Sequence, residues 1–193
     1  MFDAIANGPW SLLNVPGWGG SSATHWQTCW EREFPNIFRV VQQDWENPDR
    51  QVWLAQLTEV LAGVPRPVVL VGHSLGVATI VHAAAAGLLP GVVGAFLVAM
   101  PEVERAGFPS QITGYSPLPR LRLPFPSVMI ASQDDPYITS DELSGWAQRF
   151  GSRFIDVGFR HHIGDAAGLG EWMEGKLLLE EFLEGLPRVS QPV

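Results

Sequence analysis

Cysteine is almost missing from this chain: Cys29 is the only one among 193 residues, so no intramolecular disulfide and no multi-cysteine metal site can form. Nothing basic flanks Cys29, and the simplest expectation for it is an inert core thiol. Positive charge is also scarce. Twelve Lys and Arg face twenty Asp and Glu, a net charge of −8, which argues against a nucleic-acid partner and against a basic membrane-docking face. Charged residues are only 17% of the chain and hydrophobic ones 46%, a composition that excludes intrinsic disorder. No apolar run reaches the length of a membrane span, and Met1 to Trp10 lacks the charged and apolar regions of a signal peptide, so a cytoplasmic location is the simplest expectation. No internal repeat or interdomain linker is visible. A chain this long buries about 70% of its unfolded surface, and one domain over 1–193 is expected.

What the chain does contain is an alternation of short apolar runs with longer amphipathic ones. Strands are predicted at 10–15, 37–41, 67–71, 93–100, 127–131 and 153–157, and helices at 24–34, 49–61, 75–86, 140–150 and 174–186. Runs such as Val68-Val69-Leu70-Val71 do not alternate with polar residues, which suits strands buried on both faces. Strands separated by helices imply right-handed crossovers, hence a three-layer α/β fold with a mainly parallel sheet. Residues 101–125 break the pattern with five prolines and are expected to be irregular, too short for a helical lid domain.

In an open α/β sheet ligands sit beyond the carboxyl ends of the strands. There the sequence places Gly72-His73-Ser74-Leu75-Gly76, a G-x-S-x-G pattern between an all-apolar strand and an Ala-rich helix. Such a turn exposes Ser74 as a nucleophile and sets the Leu75 N–H, at a helix start, where an oxyanion would form. A serine hydroxyl needs a base to take its proton and an acid to orient that base, in the chain order serine, acid, histidine. His25 precedes the serine, His73 lies inside the turn and His82 sits two turns down the next helix. His161 and His162 remain as bases, and Asp134 and Asp135 as acids. The Gly-rich turn at 16–21 lacks the Gly-Lys-Ser/Thr of a phosphate-binding loop and the spacing of a dinucleotide fingerprint. Trp26, Trp30, Trp53 and Trp146 fall on helical faces and read as core, whereas Trp18 is placed to line a pocket.

Together, Val15-Pro16-Gly17-Trp18-Gly19-Gly20-Ser21, His25-Trp26-Gln27, the Ser74 turn, Pro101-Glu102-Val103-Glu104-Arg105, Ser132-Gln133-Asp134-Asp135-Pro136-Tyr137 and Gly168-Leu169-Gly170-Glu171-Trp172 resemble the small serine-hydrolase family typified by retinoblastoma-binding protein 9. The resemblance spans nearly the whole chain and implies a short, lidless α/β-hydrolase fold. It implies Ser74 as nucleophile, Asp135, directly before proline, as acid, and His162 as base. The family string around that histidine is Gly-His-Ile-Asn; here His161 replaces the glycine and Gly164 the asparagine. A second oxyanion donor is expected from the turn after the first strand, at the Trp18 N–H, with Gly17, Trp18 and His73 beside the substrate. The function so implied is a serine hydrolase of small ester or related acyl substrates, working through an acyl-enzyme without cofactor or metal. The family is named partly for a protein partner, so an interaction module on a hydrolase fold is the alternative.

Overall fold

The computed structural model describes residues 2–65 and 67–187; the expected domain bounds, 1–193, extend outside these residues. Six strands form one sheet: β1 (Ser11–Val15), β2 (Ile37–Arg39), β3 (Val68–His73), β4 (Val92–Val98), β5 (Ser127–Ala131) and β6 (Arg153–Asp156), in the order β2-β1-β3-β4-β5-β6. Every described pairing is parallel.

Alternate residues of each strand point to opposite faces, and both faces are apolar. Leu13, Val15, Val68 and Leu70 join the core under α3 (Arg50–Gly63), α4 (Leu75–Ala85) and α5 (Ser140–Phe150). Leu12, Val69 and Val71 join the core under α1 (Asp3–Asn7), α2 (Trp26–Glu33) and α6 (Met173–Glu184). The sheet is therefore the middle of three layers. The expected tryptophans are core: Trp26, Trp30, Trp53 and Trp146 are all buried.

Element ends are set by local chemistry. Asp49 accepts the N–H groups of Gln51 and Val52 and caps α3, while a reciprocal Thr139–Glu142 capping box opens α5. β4 ends two residues earlier than its apolar run because Ala99 turns to φ +51. Residues 99–126 hold no helix or strand, and among the described residues no helical lid covers the sheet edge. Helix α1 and a 3-10 turn at Asp165–Ala167 had no signal in the apolar periodicity, both being short. Cys29 departs from the expected core thiol: it is only half-buried, on a helix whose packed face belongs to Trp26 and Trp30. No described helix is long and apolar enough to cross a membrane.

The connection leaving β1 runs to β2 on one side, and the connection leaving its neighbour β3 runs to β4 on the other. This makes the carboxyl ends of β1 and β3 a topological switch point, where a crevice opens.

Candidate active site

Ser74 stands at that crevice, between β3 and α4, with φ +54 and ψ −126. A non-glycine residue held there stores about 1–3 kcal/mol of strain. Its surroundings over-determine it: Ser74 N–H donates to Val98 O at 2.9 Å, and Val77 N–H closes the first helical turn on Ser74 O at 2.9 Å. The turn also needs glycine at its end. A Cβ at Gly76 would lie 2.0 Å from Val15 O, so only a bare backbone lets α4 pack this close to β1. Gly17, in the turn after β1, is equally confined, since a Cβ there would lie 2.7 Å from Ser74 Cβ and 3.1 Å from its Oγ. The backbone at Gly17 and Trp18 therefore borders the serine directly.

Three side chains from three strand ends converge. Ser74 Oγ lies 2.7 Å from His162 Nε2, and His162 Nδ1 lies 2.8 Å from Asp135 Oδ2. With Nδ1–H donating to the carboxylate, Nε2 is left as acceptor for the serine hydroxyl. Asp135 has 1% of its side chain exposed and His162 17%. The other oxygen, Asp135 Oδ1, accepts Tyr137 N–H at 2.9 Å. The Tyr137 ring stands edge-on to the imidazole, centroids 4.5 Å apart.

The neighbouring doublet forms a separate pair. Asp134 Oδ1 accepts His161 N–H at 2.7 Å, and its other oxygen meets His161 Nδ1 at 2.9 Å. The His161 side chain is 65% exposed and pairs with Asp134 instead of the serine. The Ser132 hydroxyl donates to Asp134 and accepts Arg160 N–H, so the loop carrying His162 is tied to the loop carrying Asp135. His161 takes φ +48 and Ile163 φ +50, so the stretch is coiled rather than extended. His161 thus occupies the left-handed conformation that suits glycine, the residue expected there from the family pattern.

His73 Nε2 donates to His162 O at 2.9 Å, holding the same loop from below. His25 caps α2, its Nδ1 accepting Gln27 N–H at 3.2 Å, and its ring lies 4.8 Å from that of His73. Burial pushes the His25 pKa down to about 4, against a smaller upward pull from Asp165. Burial likewise holds His73 well below the ordinary range, with the positive charge that His25 or His162 would carry adding to the effect. Both rings are thus neutral near pH 7. Because these folded values lie below the ordinary 6.5, the unfolded chain takes up protons first as pH falls. Their contribution to stability is complete above pH 6.5 and is lost as the pH drops toward 4. Thermal melts should accordingly show a lower midpoint at pH 5 than at pH 7.5, and a flat profile would contradict the burial of these neutral rings.

Two hollows flank Ser74. One, of about 250 Å³, is lined by Leu75, Pro101, Phe108, Pro109 and Ile112, with Arg105 the one Lys, Arg, Asp or Glu side chain among the described residues that line it. The other, of about 410 Å³, is lined by His25, His73, His161, Gly164 and Asp165. Trp18, Tyr137 and His162 border both. Trp18, 39% exposed, is fixed by its indole N–H donating to Glu46 O at 3.0 Å. Phe108 and Ile112 escaped sequence reasoning because irregular loops carry no periodicity; His25 and Tyr137 stood in resembling segments but offered no chemical signal of their own. Among the described residues no group of three or more His, Cys, Asp or Glu side chains could hold a metal ion.

The serine hydrolase family model matches residues 12–181, and the chain belongs to that family. A YdeN-like hydrolase from Pectobacterium atrosepticum has 34% identity and a TM-score of 0.82, with 92% of this chain and 93% of that one covered. The ydeN gene product of Bacillus subtilis superimposes with a TM-score of 0.72 at 17% identity, over 90% of this chain and 98% of that one. The type II thioesterase BorB of the borrelidin biosynthetic cluster shares the fold at 23% identity, with a TM-score of 0.65 and 95% of each chain covered. No curated protein matches the chain. The expected small, lidless α/β-hydrolase fold is what the chain has.

Proposed function

We propose that the protein hydrolyses small esters or related acyl compounds through a Ser74–His162–Asp135 triad. The observation that carries this reading is the continuous hydrogen-bond line from Ser74 Oγ through the His162 ring to the buried Asp135 carboxylate. His162 Nε2 takes the hydroxyl proton as Oγ attacks the carbonyl carbon, and Asp135 stabilises the imidazolium that results. The Leu75 N–H, at the first turn of α4 and so without an intrahelical acceptor, and the Trp18 N–H beside Gly17 receive the oxyanion. His162 then returns the proton to the leaving group. Water repeats the sequence on the acyl-enzyme and regenerates Ser74.

The apolar hollow beside Leu75 suits the acyl group. At about 250 Å³, and with only the proline-rich loop 99–126 above it, it holds a short chain and has no lid to open at a lipid surface. A series of p-nitrophenyl esters should show kcat/KM highest at acyl lengths of about two to six carbons and no rise above the micellar concentration. Preference for long, micellar esters would contradict the assignment. Labelling of Ser74 by a fluorophosphonate probe separates an enzyme from an interaction module, which need not react.

A further inference from the structure

The larger hollow has a chemistry of its own. If Ser74 and His162 act as proposed, the leaving-group oxygen must come within reach of His162 Nε2. His162 borders both hollows; with the acyl chain in the apolar one, the other, walled also by His161 and Gly164, is left for the leaving group. His25 forms part of its wall and is 3% exposed. Because Nδ1 accepts the Gln27 N–H, the neutral ring carries its proton on Nε2. That Nε2–H is buried and meets no acceptor among the described residues. An unmet buried donor is destabilising, and a ligand oxygen that reaches it recovers the loss. The lowered pKa keeps the ring a neutral donor throughout the physiological range.

Among the described residues Asp165 is the one carboxylate in the same wall, and no Lys or Arg lines it. One Asp165 oxygen accepts the Ser22 hydroxyl, which fixes the carboxylate and leaves the second oxygen for a ligand donor. Gly164 has φ −114 and ψ −158, extended backbone open to any residue, so the conformation does not require glycine. A Cβ there would stand 3.3 Å from Cε1 of His73, another residue of the hollow's wall.

We propose that this hollow binds the polyol part of an ester substrate, one oxygen accepting from His25 Nε2–H and one hydroxyl donating to Asp165, while the acyl chain lies across Ser74 in the apolar cleft. The proposal rests on the hydrolase reading above. Ser74 Oγ forms the new bond to the acyl carbon, the ester C–O bond breaks, and the proton held on His162 passes to the departing polyol oxygen. Water then supplies the oxygen of the free acid and the proton that restores Ser74. The flat rings of Trp18 and Tyr137, 39% and 47% exposed, give the hollow walls that suit the C–H faces of a polyol.

The test compares kcat/KM for 1-butyrylglycerol and propyl butyrate by pH-stat titration, with butyrylcholine as a third substrate. The wild-type protein should prefer 1-butyrylglycerol over propyl butyrate by about tenfold or more, the scale set by sites that hydrogen-bond a substrate hydroxyl. His25→Asn keeps an acceptor for the α2 cap but withdraws the ring donor. It should bring the ratio close to one, chiefly by lowering 1-butyrylglycerol turnover, while fluorophosphonate labelling of Ser74 persists. Gly164→Val should also erase the preference while Ser74 still reacts with a fluorophosphonate. Equal turnover of the two neutral esters by the wild type, or a preference for butyrylcholine over both, overturns the polyol assignment and leaves the hydrolase intact. No turnover of any ester together with no probe labelling overturns both.

Discussion

Ser74→Ala is expected to abolish fluorophosphonate labelling and to lower ester turnover by about 10⁴-fold or more, with the fold retained. Oγ is the atom on which the proposed chemistry turns, 2.7 Å from the base and beside both hollows. The hydroxyl contributes little to the architecture, because the Ser74 contacts that hold the turn are backbone ones, to Val98 and Val77. The φ of +54 stays strained for alanine as it is for serine, so the circular dichroism spectrum should match wild type and the melting temperature should move little. Turnover by the variant at anything near the wild-type rate would exclude Ser74 as nucleophile.

The second large effect lies in the two doublets. His162→Ala should lose turnover on the same scale as Ser74→Ala, since without Nε2 the serine keeps its proton. Asp135→Asn should cost about 10²–10⁴-fold, because an amide in that buried position can impose the wrong tautomer on the ring. The other members behave differently. His161→Gly removes an exposed imidazole, relieves a residue at φ +48 and keeps the backbone bond to Asp134, so it should retain activity within a few-fold. Asp134→Asn retains an oxygen for His161 N–H and should cost about tenfold or less. Kinetics of the four single variants from pH 5 to 9 check the set. A dead His161→Gly beside an active His162→Ala would exchange the roles of the two histidines.

Much of this was legible one residue at a time. Val68-Val69-Leu70-Val71 read as a strand covered on both faces, and it is one. Gly72 to Gly76 announced a strand-to-helix turn because no larger residue fits where Gly76 meets Val15 O. The doublets were another matter. Asp134 and Asp135 have the same chemistry and adjacent positions, as do His161 and His162, and residue reading without the family resemblance left both choices open. Three-dimensional pairing separates them: one Asp–His pair turns inward to Ser74, while the other turns outward and ties two loops. The left-handed φ of His161 and Ile163 does the turning, and single-residue backbone conformation has no signature in hydrophobic periodicity.

By itself, the order of apolar runs, helical faces and turn residues determined the layered parallel α/β fold, the serine and the strand ends from which its partners must come, because these follow from local periodicity and from the space around a few glycines. The shape of the two hollows was decided only by tertiary structure. Phe108 and Ile112 lie in an irregular loop, His25 caps a helix far back in the chain, and Gly164 and Asp165 follow the last strand. They face Ser74 only because the parallel sheet brings the carboxyl ends of β1, β3, β4 and β6 to one edge. Closing loops of that length depends on contacts between distant residues, and no window of sequence contains both partners of such a contact.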